Sequence, residues 1–201
     1  MRSIIKYLPL ICFIFCLNYQ LYSQEYFYED FEDGTFPVGW DQIFETPGIT
    51  DNTWDIVTEG YGQEPAAAFE GTYFIYYQYL TSEPYINKLL TPEIDLSKAI
   101  KPRLSYGLVM NELLSTDKLN VLCREHPDSG WVQIQQYINP INDWSEEALL
   151  LPDSLLTSSF QLAFEGYAQG GGGICLDSVV IFETGELPYQ VKEIKANQTD
   201  I

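Results

Sequence analysis

The chain has 201 residues and is strongly acidic, with 29 Asp and Glu residues against 10 Lys and Arg residues and a formal net charge of −19 at pH 7. This charge argues against nucleic acid or an anionic lipid surface as a partner, because both would be repelled, and it is compatible with divalent cations. The acidity is also explained by solubility alone. The length suits one domain with a sizeable core.

The first 24 residues have the layout of a secretory signal peptide. Arg2 and Lys6 come before the apolar run LPLICFIFCL, and the polar segment NYQLYSQ follows it. This order of charged, apolar and polar parts is typical of a cleaved signal, and the apolar run is too short to span a bilayer. We therefore predict cleavage near Gln24, no membrane insertion after cleavage, and a protein that is secreted or held at the cell surface.

Beyond the signal, short alternating runs are separated by Gly, Pro, Asn and Asp clusters, which is typical of an antiparallel β-sandwich. Residues 38–66 contain no clear strand, and we predict an ordered loop there that packs its own aromatic side chains. Later runs each have one apolar face. These faces carry Leu104, Tyr106, Leu108 and Met110 in RLSYGLVM, Leu119, Val121 and Cys123 in LNVLC, and Phe160, Leu162 and Phe164 in FQLAFEG.

The run YFIYYQY is rich in tyrosine. Alternation places Tyr73, Tyr77 and Tyr79 on one face, and Phe74 and Tyr76 on the other. The two faces cannot be equally deep, so we predict that one is exposed, and an exposed aromatic patch suggests binding. Tyr73, Tyr77 and Tyr79 are therefore candidate ligand-binding residues.

Two cysteines, Cys123 and Cys175, remain once Cys12 and Cys16 leave with the signal peptide. In an oxidising compartment they form one possible disulfide. A pair of separate buried thiols is the alternative, because the sequence cannot place the two Cα atoms within bridging distance.

Residues 185–201 follow the last strand-like run after a Gly and Pro break. They are either a solvated extension or the beginning of a missing module. The domain boundaries that we predict are therefore 1–24 for the signal, 25–184 for the folded domain and 185–201 for this extension.

Several separated pieces occur in a fixed order: EDFEDGTFPVGW, NTWDIV, KLLTPEIDLSKAIKPRLSYGLVM, DKLNVL, GWVQI, DWSEEALLLP and FQLAFEGYAQGGGGICLDSVVI. In this order and spacing the chain resembles the cleaved-adhesin domains of bacterial gingipains, the choice-of-anchor J domains of Bacteroidetes surface proteins and, more remotely, the MAM domains of animal receptors. The resemblance covers about residues 27 to 183. It implies an all-β fold, a two-sheet antiparallel jelly-roll sandwich that is MAM-like and similar to galactose-binding domains. It also implies that all four tryptophans are packing anchors.

Asp177 interrupts the apolar run ICLDSVVIF, and an ionised carboxylate on a half-buried strand costs several kcal/mol unless it is partnered. The resemblance implies that the first and last strands are neighbours, which brings Glu32 and Asp33 near Asp177, and related domains bind calcium or sodium in this region. We therefore predict a Ca²⁺ or Na⁺ site formed by Glu32, Asp33 and Asp177, because carboxylates are the hard oxygen ligands that Ca²⁺ prefers. The pattern departs at Ser178, where such domains often have a second aspartate. The alternative is that Asp177 accepts N–H groups from the glycine-rich turn and that Glu32 is solvated.

Catalysis has little support in the sequence. His126 is the only histidine and lies in the turn REHPDSG, and no GxSxG motif is present. We predict a non-catalytic binding or adhesion module whose partner is an extracellular protein or a glycan. The alternative is a carbohydrate-binding module that is accessory to a secreted hydrolase.

Overall fold

The computed structural model describes residues 23–48, 52–78, 80 and 83–184. Most of the predicted signal peptide, the predicted extension 185–201 and the candidate residue Tyr79 lie outside the described residues. The first strand begins at Ser23, so the predicted boundary near Gln24 falls within that strand. The signal and the extension stay predictions.

The described residues form eleven β-strands and two short 3-10 turns. The strands are β1 (Ser23–Glu29), β2 (Asp41–Phe44), β3 (Asp55–Val57), β4 (Phe74–Tyr77), β5 (Tyr85–Leu90), β6 (Arg103–Met110), β7 (Lys118–Arg124), β8 (Val132–Tyr137), β9 (Ile141–Leu150), β10 (Gln161–Ala168) and β11 (Ile174–Thr184), and the turns are Tyr61–Gln63 and Asp153–Leu155. In this part of the chain no helix has the length and apolar character needed to cross a membrane.

The strands form two antiparallel sheets. The six-stranded sheet has the order β3-β4-β11-β6-β9, with β1 also paired to β11, and the five-stranded sheet has the order β2-β5-β10-β7-β8. The predicted all-β, two-sheet antiparallel sandwich is therefore confirmed. The predicted loop at residues 38–66 is only partly correct, because this segment also contains the short edge strands β2 and β3.

The core lies between the two sheets. Every residue predicted from alternation to be on the apolar faces of β6, β7 and β10 belongs to one buried cluster, together with Trp40 and Trp54. The ring of Trp54 stacks on that of Tyr77, with 5.0 Å between centroids. Gly166 of β10 faces this pair, and a Cβ there would lie 2.5 Å from the Tyr77 ring. A glycine is therefore needed at this position for the two aromatic rings to fit.

The first and last strands are neighbours, as the resemblance implied. One edge of β11 pairs with β4 over Ile174–Leu176 and then with β1 from Val179 to Thr184. Asp177 and Ser178 lie at the change of partner, where the ladder with β6 has an irregularity and Ser178 has a φ of 49°. The chain thus places Asp177 at a break in strand pairing, where its side chain meets a loop instead of a continuous sheet.

Candidate functional site

Asp177 is fully buried and accepts hydrogen bonds from backbone N–H groups. Its Oδ2 accepts from Phe69 and Glu70 at 2.9 and 3.1 Å, and its Oδ1 accepts from Ser178 at 2.6 Å. Phe69 and Glu70 belong to residues 58–73, which we call the covering loop because it packs on the outer face of the six-stranded sheet. The buried charge is thus partnered by backbone donors, and most of these come from the covering loop and not from the glycine-rich turn.

Glu32 holds the next part of the same loop. Its Oε1 accepts the N–H groups of Thr72 and Tyr73, both at 2.8 Å. Burial raises the pKa of Asp177 to about 6, against the effect of its backbone hydrogen bonds, and the charge of Glu32 adds to the rise. The structure therefore brings Glu32 and Asp177 to one loop.

Asp33 is exposed, and among the described residues no hydrogen bond connects its carboxylate with Glu32 or Asp177. The described residues contain no group of three or more His, Cys, Asp or Glu side chains arranged to hold a metal ion. The cation site at Glu32, Asp33 and Asp177 stays a prediction.

The glycine-rich turn is organised by a residue that the sequence did not single out, Asp117. Its carboxylate accepts the N–H groups of Gln169, Gly171 and Gly173 at 2.8 to 3.0 Å. A Cβ at Gly171 would lie 2.5 Å from the Asp117 carboxyl carbon, and Gly173 has a φ of 104°. The glycines are required for this close approach and for the turn geometry. The sequence does not reveal the pairing of Asp117 with the turn, because more than 50 residues separate them.

The predicted tyrosine platform is wrong at Tyr77, and Tyr79 lies outside the described residues. Tyr77 points into the core and is fully buried, and Tyr73 is half-buried. On the opposite side of β4, Phe74 is buried in a small cluster with Val109 and Cys175, against which Ala68 of the covering loop and Trp144 pack. Both faces of β4 are covered, because the covering loop supplies a second apolar layer that alternation alone could not predict.

The predicted disulfide is not formed. Cys123 and Cys175 are both free and buried. Cys123 points into the core from β7 of the five-stranded sheet, whereas Cys175 lies on the outer side of β11 in the six-stranded sheet. The alternative of two separate thiols is the one observed, because a sheet lies between them.

The outer face of the five-stranded sheet carries an ordered set of polar side chains, of which Lys88, Asn120 and Glu165 are buried and Gln136 is exposed. Residues in register across a sheet point to the same side. The register defines a row with one residue from each strand, Ile43, Lys88, Glu165, Asn120 and Gln136, and we call its last four residues the polar row. It also defines a neighbouring row, Asp41, Leu90, Ala163, Leu122 and Gln133, whose centre is apolar. We call these two rows and the residues that flank them the outer face.

The polar row is one connected network. The Lys88 ammonium pairs with the carboxylates of Glu45 and, at 2.9 Å, Glu165. Glu165 accepts from Asn120 at 2.8 Å, and Asn120 accepts from Gln136 at 2.8 Å. Burial works against both charges, but their hydrogen bonds outweigh it, so the pKa of Lys88 is raised and that of Glu165 is lowered. The network is therefore ionised and fixed in place.

A cation lies over an aromatic ring at each end of the outer face. At one end the Lys118 ammonium is 3.5 Å from the centroid of the Tyr167 ring. At the other end the Arg124 guanidinium is 4.2 Å from the centroid of the Trp131 ring. Trp131 also packs on Leu90, Leu122 and Ala163. The sequence shows which residues of one strand share a face. It does not show that these residues lie side by side, because that depends on the order of the strands in the sheet.

The fold and this face define a two-sheet antiparallel jelly roll that presents hydrogen-bonding groups and aromatic rings on one sheet. A scan of protein-family models and a search of curated proteins found no match.

Among solved structures, the chain is similar to the K3 cleaved adhesin domain of Lys-gingipain from Porphyromonas gingivalis W83, with 19% identity and a TM-score of 0.59 over 80% of this chain and 100% of that one. It is similar to TmCBM61 in complex with β-1,4-galactotriose, with 14% identity and a TM-score of 0.53 over 77% and 94%. It also resembles the CBM22-1 xylan-binding domain of Xyn10C from Paenibacillus barcinonensis, with 16% identity and a TM-score of 0.50 over 82% and 97%. The chain thus has the jelly-roll fold of the cleaved adhesin domains.

Proposed function

We propose that the chain is a non-catalytic binding module, secreted or at the cell surface, whose ligand is a glycan bound on the outer face. The observation that carries the proposal is the connected polar row beside an apolar strip and two aromatic rings. Two of the structural neighbours are a module in complex with galactotriose and a xylan-binding domain, which supports a glycan over a protein as the ligand.

The chemistry of the outer face suits a sugar chain. Sugar hydroxyls need both donors and acceptors, which Gln136 supplies at the surface and Asn120 and Glu165 supply beneath it. The partly exposed Trp131, whose ring carries the Arg124 guanidinium, adds apolar surface beside them. The outward residues of β7 extend from Lys118 to Arg124, about 20 Å at the rise of a strand. The face is therefore long enough for several sugar units in a row.

The carboxylates of this face are poorly suited to catalysis. Glu45 and Glu165 are both paired with Lys88. The hydrogen bonds of Glu165 outweigh its burial and lower its pKa, so it would not donate a proton at neutral pH as glycoside hydrolysis requires. Binding without bond cleavage is the function that this arrangement supports.

The test is glycan binding by outer-face variants. We expect Gln136→Ala to weaken binding about tenfold, because it removes an exposed member of the hydrogen-bonded row. Trp131→Ala should weaken binding at least as much. Glycan arrays would identify a ligand, and titration calorimetry would then measure its affinity for each variant.

Asn142→Ala is the matched control, because it removes an exposed amide from β9, in the other sheet; we expect it to bind as the parent does. Melting curves would show that each variant is folded. Failure of the folded parent to bind any glycan, or equal binding by Gln136→Ala and the parent, would contradict the proposal.

The predicted Ca²⁺ or Na⁺ ion is part of the proposed function as a stabilising group near Glu32, Asp33 and Asp177. Its support is the negative charge that Glu32 and Asp177 bring to the covering loop, which a cation would offset. Both oxygens of Asp177 already accept N–H groups, so an ion would use the lone pairs that these bonds leave free. The response of the melting temperature to Ca²⁺ tests this part.

A further inference from the structure

We propose that the glycan bound by the outer face carries carboxylate groups, as a uronic acid polymer does, and that Arg124 and Lys118 bind them. This inference rests on the proposed function and names the class of its ligand. Three observations carry it: the distribution of cations over the molecule, the way Arg124 is held, and the absence of a carboxylate partner for either cation within the described residues.

The few cations of this acidic chain are not scattered. The described residues include six Lys and Arg, namely Lys88, Lys98, Lys101, Arg103, Lys118 and Arg124. Three of them, Lys88, Lys118 and Arg124, lie on the outer face, and the other three lie within residues 98–103. The outer face also carries Asp41, Glu45 and Glu165, and the pairing of Lys88 leaves Lys118 and Arg124 as the cations of this face without an ion pair in the described residues.

Arg124 is held in a fixed position by neutral groups. Its Nε and Nη2 donate to Oε1 of Gln161 at 3.0 and 2.5 Å, and Gln161 is itself held by a hydrogen bond to the Thr91 carbonyl at 3.1 Å. Trp131 supports the flat side of the guanidinium. A guanidinium has more N–H donors than one amide oxygen can accept, so donors of Arg124 remain for a ligand.

Neither Lys118 nor Arg124 has a carboxylate within 4.0 Å in the described part of the chain, where Lys88 has two. Glu93 and Asp128 are near enough to favour the charge of Arg124, but burial still lowers its pKa. A partly desolvated cation whose acidic neighbours lie beyond ion-pair distance costs free energy. An anionic ligand would supply the missing partner, and the fork of an arginine fits a carboxylate in two parallel hydrogen bonds.

Lys118 extends the same preference along the ligand. It lies on β7 with Arg124, at the opposite end of the outer face, and Tyr167 beneath it is fixed by its hydroxyl bond to Glu165 at 2.9 Å. Because the two cations are about 20 Å apart along the strand, they would contact different sugar units of one chain. Lys88 lies between these two cations on the outer face, and its ion pairs with Glu45 and Glu165 leave it no free positive charge.

The experiment compares a tetramer of α-1,4-galacturonate with a neutral β-1,4-galactotetraose by titration calorimetry, in EDTA so that no metal bridges the uronates. We expect the folded parent to bind the uronate at least tenfold more tightly. Arg124→Gln should remove most of that difference. Arg124→Lys should restore part of it, because it keeps the charge and loses the fork.

Lys98→Gln and Lys101→Gln are matched controls, since each removes one exposed cation away from the outer face; they should bind the uronate as the parent does. Equal binding of both sugars, or an Arg124→Gln variant that behaves like these controls, would overturn the inference and leave a glycan-binding module for neutral sugars. Binding of neither sugar class on a broader glycan array would contradict the proposed function itself.

Discussion

Three acidic residues of this chain, Asp117, Asp177 and Glu32, hold loops through backbone N–H groups. Each carboxylate is reached by donors from a segment far away in the sequence, up to 108 positions for Asp177 and Phe69. The need for a partner at Asp177 was predictable from its place in an apolar run. The identity of that partner was not, because it depends on where the covering loop lies.

Asp117 provides a direct test of this role. Asp117→Ala should lower the free energy of unfolding by about 3 kcal/mol, because three backbone N–H groups of the glycine-rich turn lose a charged acceptor in a buried place. Urea unfolding measures the loss. Asp128→Ala removes a carboxylate that is 95% exposed, and we expect a change within about 0.5 kcal/mol. Equal effects of the two changes would show that Asp117 does not hold the turn.

The raised pKa of Asp177 predicts how stability responds to pH and to an ion. A carboxyl group whose pKa is higher in the folded than in the unfolded protein binds protons more tightly when folded, so its contribution to stability grows as pH falls from about 6 towards 4. In EDTA the melting temperature should therefore rise between about pH 7 and about pH 5. Glu165 does not oppose this, because its pKa is lowered and its contribution is lost only at more acidic pH.

A bound Ca²⁺ would reverse that sign, because acid would displace the ion. We predict that Ca²⁺ raises the melting temperature near pH 7, that EDTA removes the gain, and that Asp177→Asn abolishes the response. An unchanged transition in Ca²⁺ and EDTA would contradict the predicted ion. Differential scanning calorimetry measures both dependences on one sample series.

At the scale of elements, alternation predicted the long central strands well. The buried faces of β6, β7 and β10 were predicted residue by residue, because each strand contrasts an apolar inner face with a different outer face. Alternation did not predict β2, β3, β5 or β9. The strands β2 and β3 have only three or four residues at a sheet edge, which carry too little alternation to be distinguished from a loop. The outer face was not predicted, because it is formed by residues of five strands and depends on the order of those strands in the sheet.

The packing of β10 gives a prediction at this scale. Gly166→Ala should destabilise the protein by about 2 kcal/mol, because the added methyl would lie 2.5 Å from the ring of Tyr77 and 3.0 Å from that of Trp54. Gly130→Ala is the matched control, since nothing lies within 4 Å of a Cβ there. Urea unfolding curves compare the two variants. A neutral Gly166→Ala would mean that the stacked pair is not tightly packed against β10.

The whole molecule is a sandwich with two different outer faces. The six-stranded sheet is covered by residues 58–73, which are held by Asp177 and Glu32 and pack Phe69 against Gly107 and Trp144. The five-stranded sheet instead presents the polar row, the apolar strip and the two cation and aromatic pairs. This asymmetry supports the proposal that the six-stranded sheet is a scaffold and that the five-stranded sheet contacts ligand.

The central claim is that ligand contacts the outer face of the five-stranded sheet, and NMR titration of the folded chain with a bound oligosaccharide tests it most directly. We predict that the largest shifts occur at the side-chain amides of Asn120 and Gln136, the indole N–H of Trp131 and the backbone of β7 and β10. Shifts confined to the covering loop and the six-stranded sheet, with the outer face unchanged, would contradict the claim.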